Sequence, residues 1–174
     1  YEIDEEFKME TKNIQETLNY LYDKLTNEKK VFYSRFGDGD FEIMKGKREL
    51  LHKYSPELQQ ELKDSFEILD DNYIRGVMFN EPTYNGRELV HHPPQIYDEL
   101  AGFIQKNFDR HKEFMDNFIR PKKKLFIGSI KKSSIERLVG KVDYHVATPS
   151  KDAYYHIDEW WPKVLDYVDE VDLV

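Results

Sequence analysis

Apolar residues recur along the chain at two spacings, one typical of helices and the other typical of strands. In the first segment Ile14, Leu18, Leu21 and Leu25 lie three or four residues apart, which predicts an amphipathic helix. The run that begins at Val31 contains β-branched and aromatic residues in succession and predicts a strand. Helical and extended patterns then alternate to the end of the chain.

Later elements follow the same alternation. Ser55 and Pro56 supply a capping hydroxyl and a proline at the first helical position, so a helix is expected to begin there. Strands separated by helices predict an α/β fold, here a single Rossmann-like layered domain over residues 1–174 with a mainly parallel sheet flanked by helices. The further expected elements are an apolar helix face at Leu58, Leu62, Phe66 and Leu69, a strand over 73–79, a polar loop over 80–94, a helix with Ile96, Leu100, Phe103 and Ile104, a second helix through Phe114 and Phe118, a strand over 124–129, a short helix around Ile135 and Leu138, a strand over 142–147, a helix over 150–168 and a strand over 171–174.

Polar residues follow four of the predicted strands. Asp38, Asn80, Ser129 and Thr148 each come just after a strand. In parallel sheets of this kind, ligands bind beyond the carboxyl ends of the strands. We therefore expect these four residues to share one edge of the sheet, and this edge is the predicted site.

The strand that begins at Val31 leads into a turn with two glycines and two carboxylates. Gly37 and Gly39 permit backbone angles that other residues avoid, so a sharp turn is expected to direct Asp38 and Asp40 into one space. Two carboxylates repel each other unless a cation lies between them, and Mg²⁺ or Mn²⁺ takes one or two protein carboxylates together with water and substrate phosphate. The pattern fits such a metal site, but taken by itself it is more typical of a polar turn whose aspartates cap a helix beginning near Asp40.

The longer run over residues 34–41, followed by Ile43, Met44, Lys45 and Gly46, resembles the signature of the glycosyltransferases with the GT-D fold. This bacterial family was first catalogued as a domain of unknown function. Its motif ends in Glu where this chain has Asp40, and its Asp-X-Glu is understood to hold the metal that binds the sugar-nucleotide diphosphate. Residues 142–154 resemble the family's strand, proline and small-polar loop that lead into a helix.

The resemblance implies a metal-dependent glycosyltransferase that moves a sugar from a nucleoside diphosphate sugar to a carbohydrate or glycolipid acceptor. Asp38 and Asp40 would anchor the Mn²⁺ or Mg²⁺ cofactor, and Glu81 is the candidate general base if the reaction inverts. Arg35 would bind a phosphate or sugar hydroxyl or else pair with Asp38. The residues expected to bind the substrate are Arg35, Phe36, Gly37, Gly39, Asn80, Ser129, Lys131, Thr148, Ser150 and Asp152, and the last three would alternatively cap the following helix.

In the family, a further strand and a glycine-containing loop help to close the donor site, whereas this chain stops at Val174. The chain also begins with Tyr1 rather than methionine. We therefore expect an excerpt of a longer protein, lacking the family's C-terminal segment and accompanied by further domains. Two alternatives follow from the motif: a metal-dependent phosphohydrolase, which would need no acceptor, and a non-catalytic module that binds a sugar or a partner domain.

Composition bears on three properties of the protein, namely nucleic-acid binding, cellular compartment and membrane insertion. The 26 Lys and Arg residues against 34 Asp and Glu residues give a net charge of −8, which argues against general affinity for nucleic acid. The absence of cysteine excludes disulfides and thiolate metal sites and favours a reducing compartment. No apolar run approaches the roughly 20 residues that span a bilayer. The sequence therefore predicts a cytoplasmic protein with no transmembrane segment.

Overall fold

The computed structural model describes residues 14–28, 31–47, 53–77, 89, 91, 96–97 and 108–174. The chain divides into two compact units. The first contains Tyr1–Glu49 and Tyr54–Asn107, and the second contains Leu50–Lys53 and Phe108–Val174. Among the described residues each unit has a parallel sheet of its own, so the single layered domain with one sheet is not confirmed.

The first unit is built on a three-stranded parallel sheet in the order β1-β2-β3. Strand β2 pairs with β1 along its whole length and with β3 at its last two residues. The strands are β1 (Phe32–Phe36), β2 (Tyr73–Val77) and β3 (Ile96–Tyr97), and the described helices are α1 (Ile14–Asn27), α2 (Asp38–Met44) and α3 (Pro56–Phe66).

The core of this unit fastens the end of β1 to α2 and α3. The Phe66 ring packs edge-to-face against Phe36 and Phe41, with ring centroids 4.7 and 6.1 Å away. Met44 and Val77 complete the cluster, and both are fully buried. Because α2 begins directly after β1, this packing fixes the turn that carries the two aspartates.

Most predicted elements of the first unit are confirmed. Helix α3 begins as predicted, with Pro56 in its first turn and the Ser55 hydroxyl accepting the N–H of Leu58 at 3.0 Å. Leu69 is an exception, since it lies beyond the end of α3 and is exposed rather than part of the apolar face.

The helix predicted to carry Ile96 is wrong at its start. Ile96 and Tyr97 form β3, where Ile96 pairs with Gly76 and Tyr97 with Val77. Apolar spacing alone fits a helix here, but parallel pairing gives partners to backbone groups on the side of β2 that faces away from β1. The remaining residues predicted for that helix, Leu100, Phe103 and Ile104, lie outside the described part of the chain.

The second unit contains a two-stranded parallel sheet formed by β4 and β5. Leu125, Val146 and Val164 form its buried cluster, and Trp160 and Tyr167 pack against them. Its elements are α4 (Phe108–Phe114), a π-helix (Met115–Ile119), β4 (Leu125–Gly128), α5 (Lys132–Val139), β5 (Tyr144–Ala147), a 3₁₀ helix (Ala153–His156), α6 (Ile157–Leu165) and a second 3₁₀ helix (Val168–Glu170).

The C-terminal predictions are confirmed only in part. The single helix expected over 150–168 begins as a 3₁₀ helix at Ala153, because Asp152 has a left-handed backbone that a continuous helix excludes. The strand expected over 171–174 is reduced to one parallel bridge between Lys124 and Leu173. Its backbone hydrogen bonds run from the Leu125 N–H to the Leu173 carbonyl at 2.9 Å and from the Leu173 N–H to the Lys123 carbonyl at 3.2 Å.

A buried lysine closes the end of the π-helix. The side chain of Lys124 donates to the carbonyls of Ile119, Arg120 and Lys122 at 3.1, 3.0 and 2.6 Å. These carbonyls end or follow a helix, where intrahelical partners run out, and the Ile119 carbonyl also accepts the Lys122 N–H at 3.2 Å. Burial lowers the pKa of Lys124. No helix in the described ranges is long and apolar enough to cross a membrane.

Candidate functional site

The aspartate motif lies at the carboxyl end of β1, where the strand passes into α2 through a single residue. Phe36 ends the strand, Gly37 links the two elements and Asp38 begins the helix. Gly37 has φ −97° and ψ −177°, and Gly39 lies inside the helix without a positive φ. The expectation that this turn needs angles reserved for glycine is therefore wrong, because the chain turns by starting a helix.

Asp40 fastens this turn. Its Oδ2 accepts a hydrogen bond of 2.7 Å from the backbone N–H of Gly37, the residue before the helix. This contact is one half of a capping box, and glycine has no side chain to supply the other half. Asp40 therefore caps the helix, and its predicted role as a metal ligand stays a prediction.

Asp38 is engaged differently. Its carboxylate is exposed, and Oδ1 accepts the N–H of Gly39 at 2.9 Å. Within the described ranges the second carboxylate oxygen has no hydrogen-bond partner. The positive end of the helix dipole also favours an anion at this position.

The residues beside the turn divide between surface and core. Arg35 is exposed on β1 and pairs with Gly76 of β2. Phe36, also predicted to bind substrate, is only 4% exposed and packs in the core, so its side chain holds the turn in place. Glu42 lies four residues after Asp38 and pairs with Lys45 and Lys47, each at 3.3 Å.

These lysines hold the pKa of Glu42 below its ordinary value, with the hydrogen bond from Lys45 as the largest cause. Glu42 is thus an ionised carboxylate whose charge is already balanced on the protein. Asp38 remains the acid of the turn that is best placed to meet a ligand.

The second unit gathers a separate set of predicted residues at the carboxyl edge of β4 and β5. Ser129 follows β4 and Thr148 follows β5, and the Thr148 N–H donates to the carbonyl of Gly128 at 3.3 Å. Lys131 immediately precedes α5 and is exposed, as is Ser150 in the loop after β5. The structure therefore brings Ser129 and Thr148 to one edge, as predicted for this pair.

Other predictions remain untested. Asn80 and Glu81 lie outside the described residues, so the candidate general base stays a prediction. The shared edge that would unite Asp38 with Ser129 and Thr148 also stays a prediction, because these residues belong to different units.

Sequence reasoning overlooked Arg75, which supports the turn from beneath. Arg75 is 4% exposed, donates to the Phe66 carbonyl at 2.8 Å and places its guanidinium 5.8 Å from the Phe66 ring centroid. Since Phe66 packs on Phe36 and Phe41, Arg75 stabilises the core under α2. A charged residue inside an otherwise apolar strand was the signal that could have revealed it.

The turn can be tested for its fit to a divalent cation. In the described part of the chain no group of three or more His, Asp or Glu side chains is arranged to hold a metal ion. Mg²⁺ and Mn²⁺ need fewer protein ligands when substrate phosphates and water complete the shell. Asp38, exposed and with one oxygen available, fits such a site, whereas the Oδ2 of Asp40 is taken by Gly37.

Among known proteins, the chain matches solved structures. No protein-family model and no curated protein sequence matches the chain. A solved structure of "domain of unknown function 1792 (DUF1792)" matches over 90% of this chain, with a TM-score of 0.64 and 16% identity. The chain has the fold of the DUF1792 domains.

Two further DUF1792 structures support this assignment. One is described as having "a distinct glycosyltransferase fold" and matches 88% of this chain with a TM-score of 0.63 and 15% identity. The other is described as a new glycosyltransferase from Streptococcus sanguinis and matches 91% with a TM-score of 0.56 and 15% identity. That description agrees with the family inferred from the aspartate motif.

The match does not extend over the whole of the DUF1792 structures. This chain spans 65%, 64% and 69% of their respective lengths. At identities of 15–16% the likeness is one of fold. The match therefore supports the fold, and the activity, donor and acceptor of this chain are proposed separately.

Proposed function

We propose that this chain is the sugar-nucleotide-binding part of a metal-dependent glycosyltransferase, which moves a sugar from a nucleoside diphosphate sugar to a carbohydrate or glycolipid acceptor. The observation that carries the proposal is the exposed carboxylate of Asp38 at the carboxyl end of β1, in a chain with the DUF1792 fold. Ligands of parallel α/β sheets bind beyond this end of the strands.

In this proposal the two aspartates have separate tasks. Asp38 would bind Mn²⁺ or Mg²⁺ directly or through water, since one of its oxygens has no hydrogen-bond partner within the described ranges. Asp40 would hold the turn through Gly37 and so fix the direction of Asp38. When bound, the metal would supply positive charge to the diphosphate leaving group.

The second unit has neutral and basic groups of its own that suit a nucleoside diphosphate. Ser129 and Thr148 offer hydroxyls at one sheet edge, and Lys131 offers an exposed ammonium beside it. Lysine is a flexible point charge that suits phosphate oxygens. Asn80 and Glu81 are proposed for the acceptor side, with Glu81 as the general base of an inverting reaction. The absence of cysteine supports a cytoplasmic setting for this proposed reaction.

The decisive experiment is a thermal-shift screen of UDP, GDP, CDP and TDP, each with and without Mn²⁺. A nucleotide that binds the folded state raises the melting temperature by mass action. We expect a Mn²⁺-dependent rise for one nucleotide in the wild type and its loss in Asp38→Asn. The matched control is Asp71→Asn, which removes the same charge from an exposed turn of the first unit.

Turnover separates this proposal from its rivals. With the nucleoside diphosphate sugar of the base so identified, we expect release of nucleotide that requires an acceptor and falls by at least about a hundredfold in Asp38→Asn. Release without any acceptor would indicate a phosphohydrolase instead. The absence of a thermal shift with every nucleotide, in a protein that unfolds cooperatively, would contradict the proposal and favour a non-catalytic module.

A further inference from the structure

Asp152 has an unusual backbone at the point where the loop after β5 meets the next helix. Its φ of 53° and ψ of 33° lie in the left-handed region. Among the described residues no other residue apart from glycine has a positive φ. This conformation is unfavourable for most L-residues, aspartate tolerates it better than most, and further contacts of Asp152 accompany it.

Those contacts come from Lys53, 99 residues earlier in the chain. The backbone N–H of Lys53 donates to Asp152 Oδ1 at 2.6 Å, and its ammonium lies 3.6 Å from Oδ2. The same ammonium lies 5.7 Å from the centroid of the Tyr155 ring. Both carboxylate oxygens of Asp152 therefore face Lys53, which belongs to the short segment Leu50–Lys53 of the second unit.

On its other side Asp152 adjoins a well-fastened helix. The Asp152 carbonyl accepts the N–H of Tyr155 at 3.0 Å, and the indole N–H of Trp160 donates to the Ala153 carbonyl at 2.9 Å. Val164 then anchors α6 in the core of the second unit at 2% exposure. Asp152 therefore lies between the preceding loop and a helical segment that is anchored in the core.

That loop is held at both ends and exposed between them. Its first residue, Thr148, donates its N–H to Gly128 at the edge of the sheet, and its last residue is Asp152. Pro149, Ser150 and Lys151 are all exposed. If the contact between Lys53 and Asp152 is removed, one of the two anchors of the loop is lost.

We propose that Asp152 is a positioning residue, which holds the loop over residues 148–152 through Lys53 and so presents Thr148 and Ser150 to the nucleoside diphosphate without contacting it. This inference rests on the proposed function, because the nucleotide is the donor of that reaction. It replaces the expectation from sequence that Asp152 binds the substrate directly.

Two substitutions separate the hydrogen bond from the charge. Asp152→Gly removes the side chain while keeping a residue that adopts the left-handed backbone without strain. Asp152→Asn removes the charge but keeps an amide oxygen that can accept the Lys53 N–H, and asparagine also tolerates this backbone. Asp158→Asn is the matched control, since Asp158 is an exposed carboxylate in the first turn of α6.

The first measurement needs no ligand. Hydrogen exchange of the Lys53 amide, followed by NMR, reports directly on the bond to Asp152. We expect exchange about tenfold faster in Asp152→Gly and close to wild type in Asp152→Asn and Asp158→Asn. Unchanged exchange in Asp152→Gly would overturn the proposal, whatever the nucleotide measurement gives.

The second measurement is the Kd of the nucleotide identified in the thermal-shift screen, with Mn²⁺ present. A loop that is ordered only part of the time weakens apparent affinity in proportion, so we expect about tenfold weaker binding in Asp152→Gly and less than about threefold in Asp152→Asn. Equal losses in both variants, with the Lys53 amide still protected in Asp152→Asn, would mean that the charge of Asp152 contacts the nucleotide or its metal, which overturns the positioning role.

The two proposals fail in different ways. If the wild type binds no nucleotide, the proposed function fails and the presenting role of Asp152 fails with it. If the wild type binds a nucleotide and Asp152→Gly binds it equally well, the proposed function stands and only the positioning role is overturned.

Discussion

Asp38 and Asp40 lie two residues apart in one turn, yet their contacts give them different tasks. Asp40 accepts the N–H of Gly37 at 2.7 Å, while Asp38 is exposed and accepts only the N–H of its neighbour Gly39 within the described ranges. Substituting Asp40 should therefore affect stability more, and substituting Asp38 should affect ligand binding more.

Loss of the Asp40 contact is expected to destabilise the start of α2. Asp40→Ala should lower the free energy of unfolding by about 1 kcal/mol, the usual effect of removing a helix cap. Asp40→Asn keeps an oxygen that can accept the Gly37 N–H and should lose less than half as much. Urea unfolding of both variants tests this, and equal losses would show that charge rather than the hydrogen bond is responsible.

The position of the turn was predictable from the sequence, but the environment of each side chain was predictable only in part. The sequence correctly indicated that residues 37–40 lie at a strand end with helix-capping capacity, because glycine and aspartate have strong local preferences there. It could not show that Phe36 points into the core rather than toward a ligand, since a strand residue's environment depends on what packs above and below it.

Asp143 holds the start of strand β5 through contacts with Lys124 and Lys141. This residue comes just before β5, accepts the N–H of Lys124 at 3.0 Å and lies 2.6 Å from the ammonium of Lys141. The hydrogen bond from Lys141 is the largest cause that lowers the pKa of Asp143 below its ordinary value of 3.8. The aspartate thus ties the start of β5 to the start of β4.

The lowered pKa gives a pH dependence with a definite sign. Because the unfolded chain binds the proton more readily, the contribution of Asp143 to stability is complete above about pH 3.8 and is lost as the pH falls through the lower folded pKa. Asp143→Asn should therefore remove part of the loss of stability that occurs as the pH falls below about 4.

Urea midpoints of the wild type and Asp143→Asn across this range test the expectation. Asp71→Asn controls for the removal of one exposed carboxylate elsewhere. Identical pH profiles for the wild type and Asp143→Asn would contradict the assignment of this contact.

Helices and strands with a strong local sequence pattern were predicted correctly, and those with a weak pattern were not. Helices α1 and α3 and strands β1, β2, β4 and β5 are confirmed because each has a clear period or a cap. Ile96 fits a helical spacing, but its partner in the sheet is Gly76, and such a long-range pairing leaves little trace in a short stretch of sequence. The helix expected over 150–168 does not continue through Asp152, which has a left-handed backbone and accepts the N–H of the distant Lys53.

The whole molecule carries a net charge of −8. Repulsion from phosphates should outweigh the exposed lysines, so we expect no binding to a labelled single-stranded oligonucleotide at about 0.15 M salt. Fluorescence anisotropy measures this, and the nucleotide found in the thermal-shift screen is the positive control. Salt-sensitive binding of the oligonucleotide would contradict the expectation that the net negative charge prevents nucleic-acid binding.

The sequence by itself determined the alternation of helices and strands, the acidic turn after β1 and the family whose fold the chain shares. These depend on local preferences and on a motif contained within a few residues. Only the tertiary structure decided that the described strands form two parallel sheets, that Asp40 caps while Asp38 is exposed, and that Lys53 holds Asp152. Each of these depends on which backbone groups meet across long stretches of chain, and the hydrogen bonds and packing that decide it form only when the chain is folded.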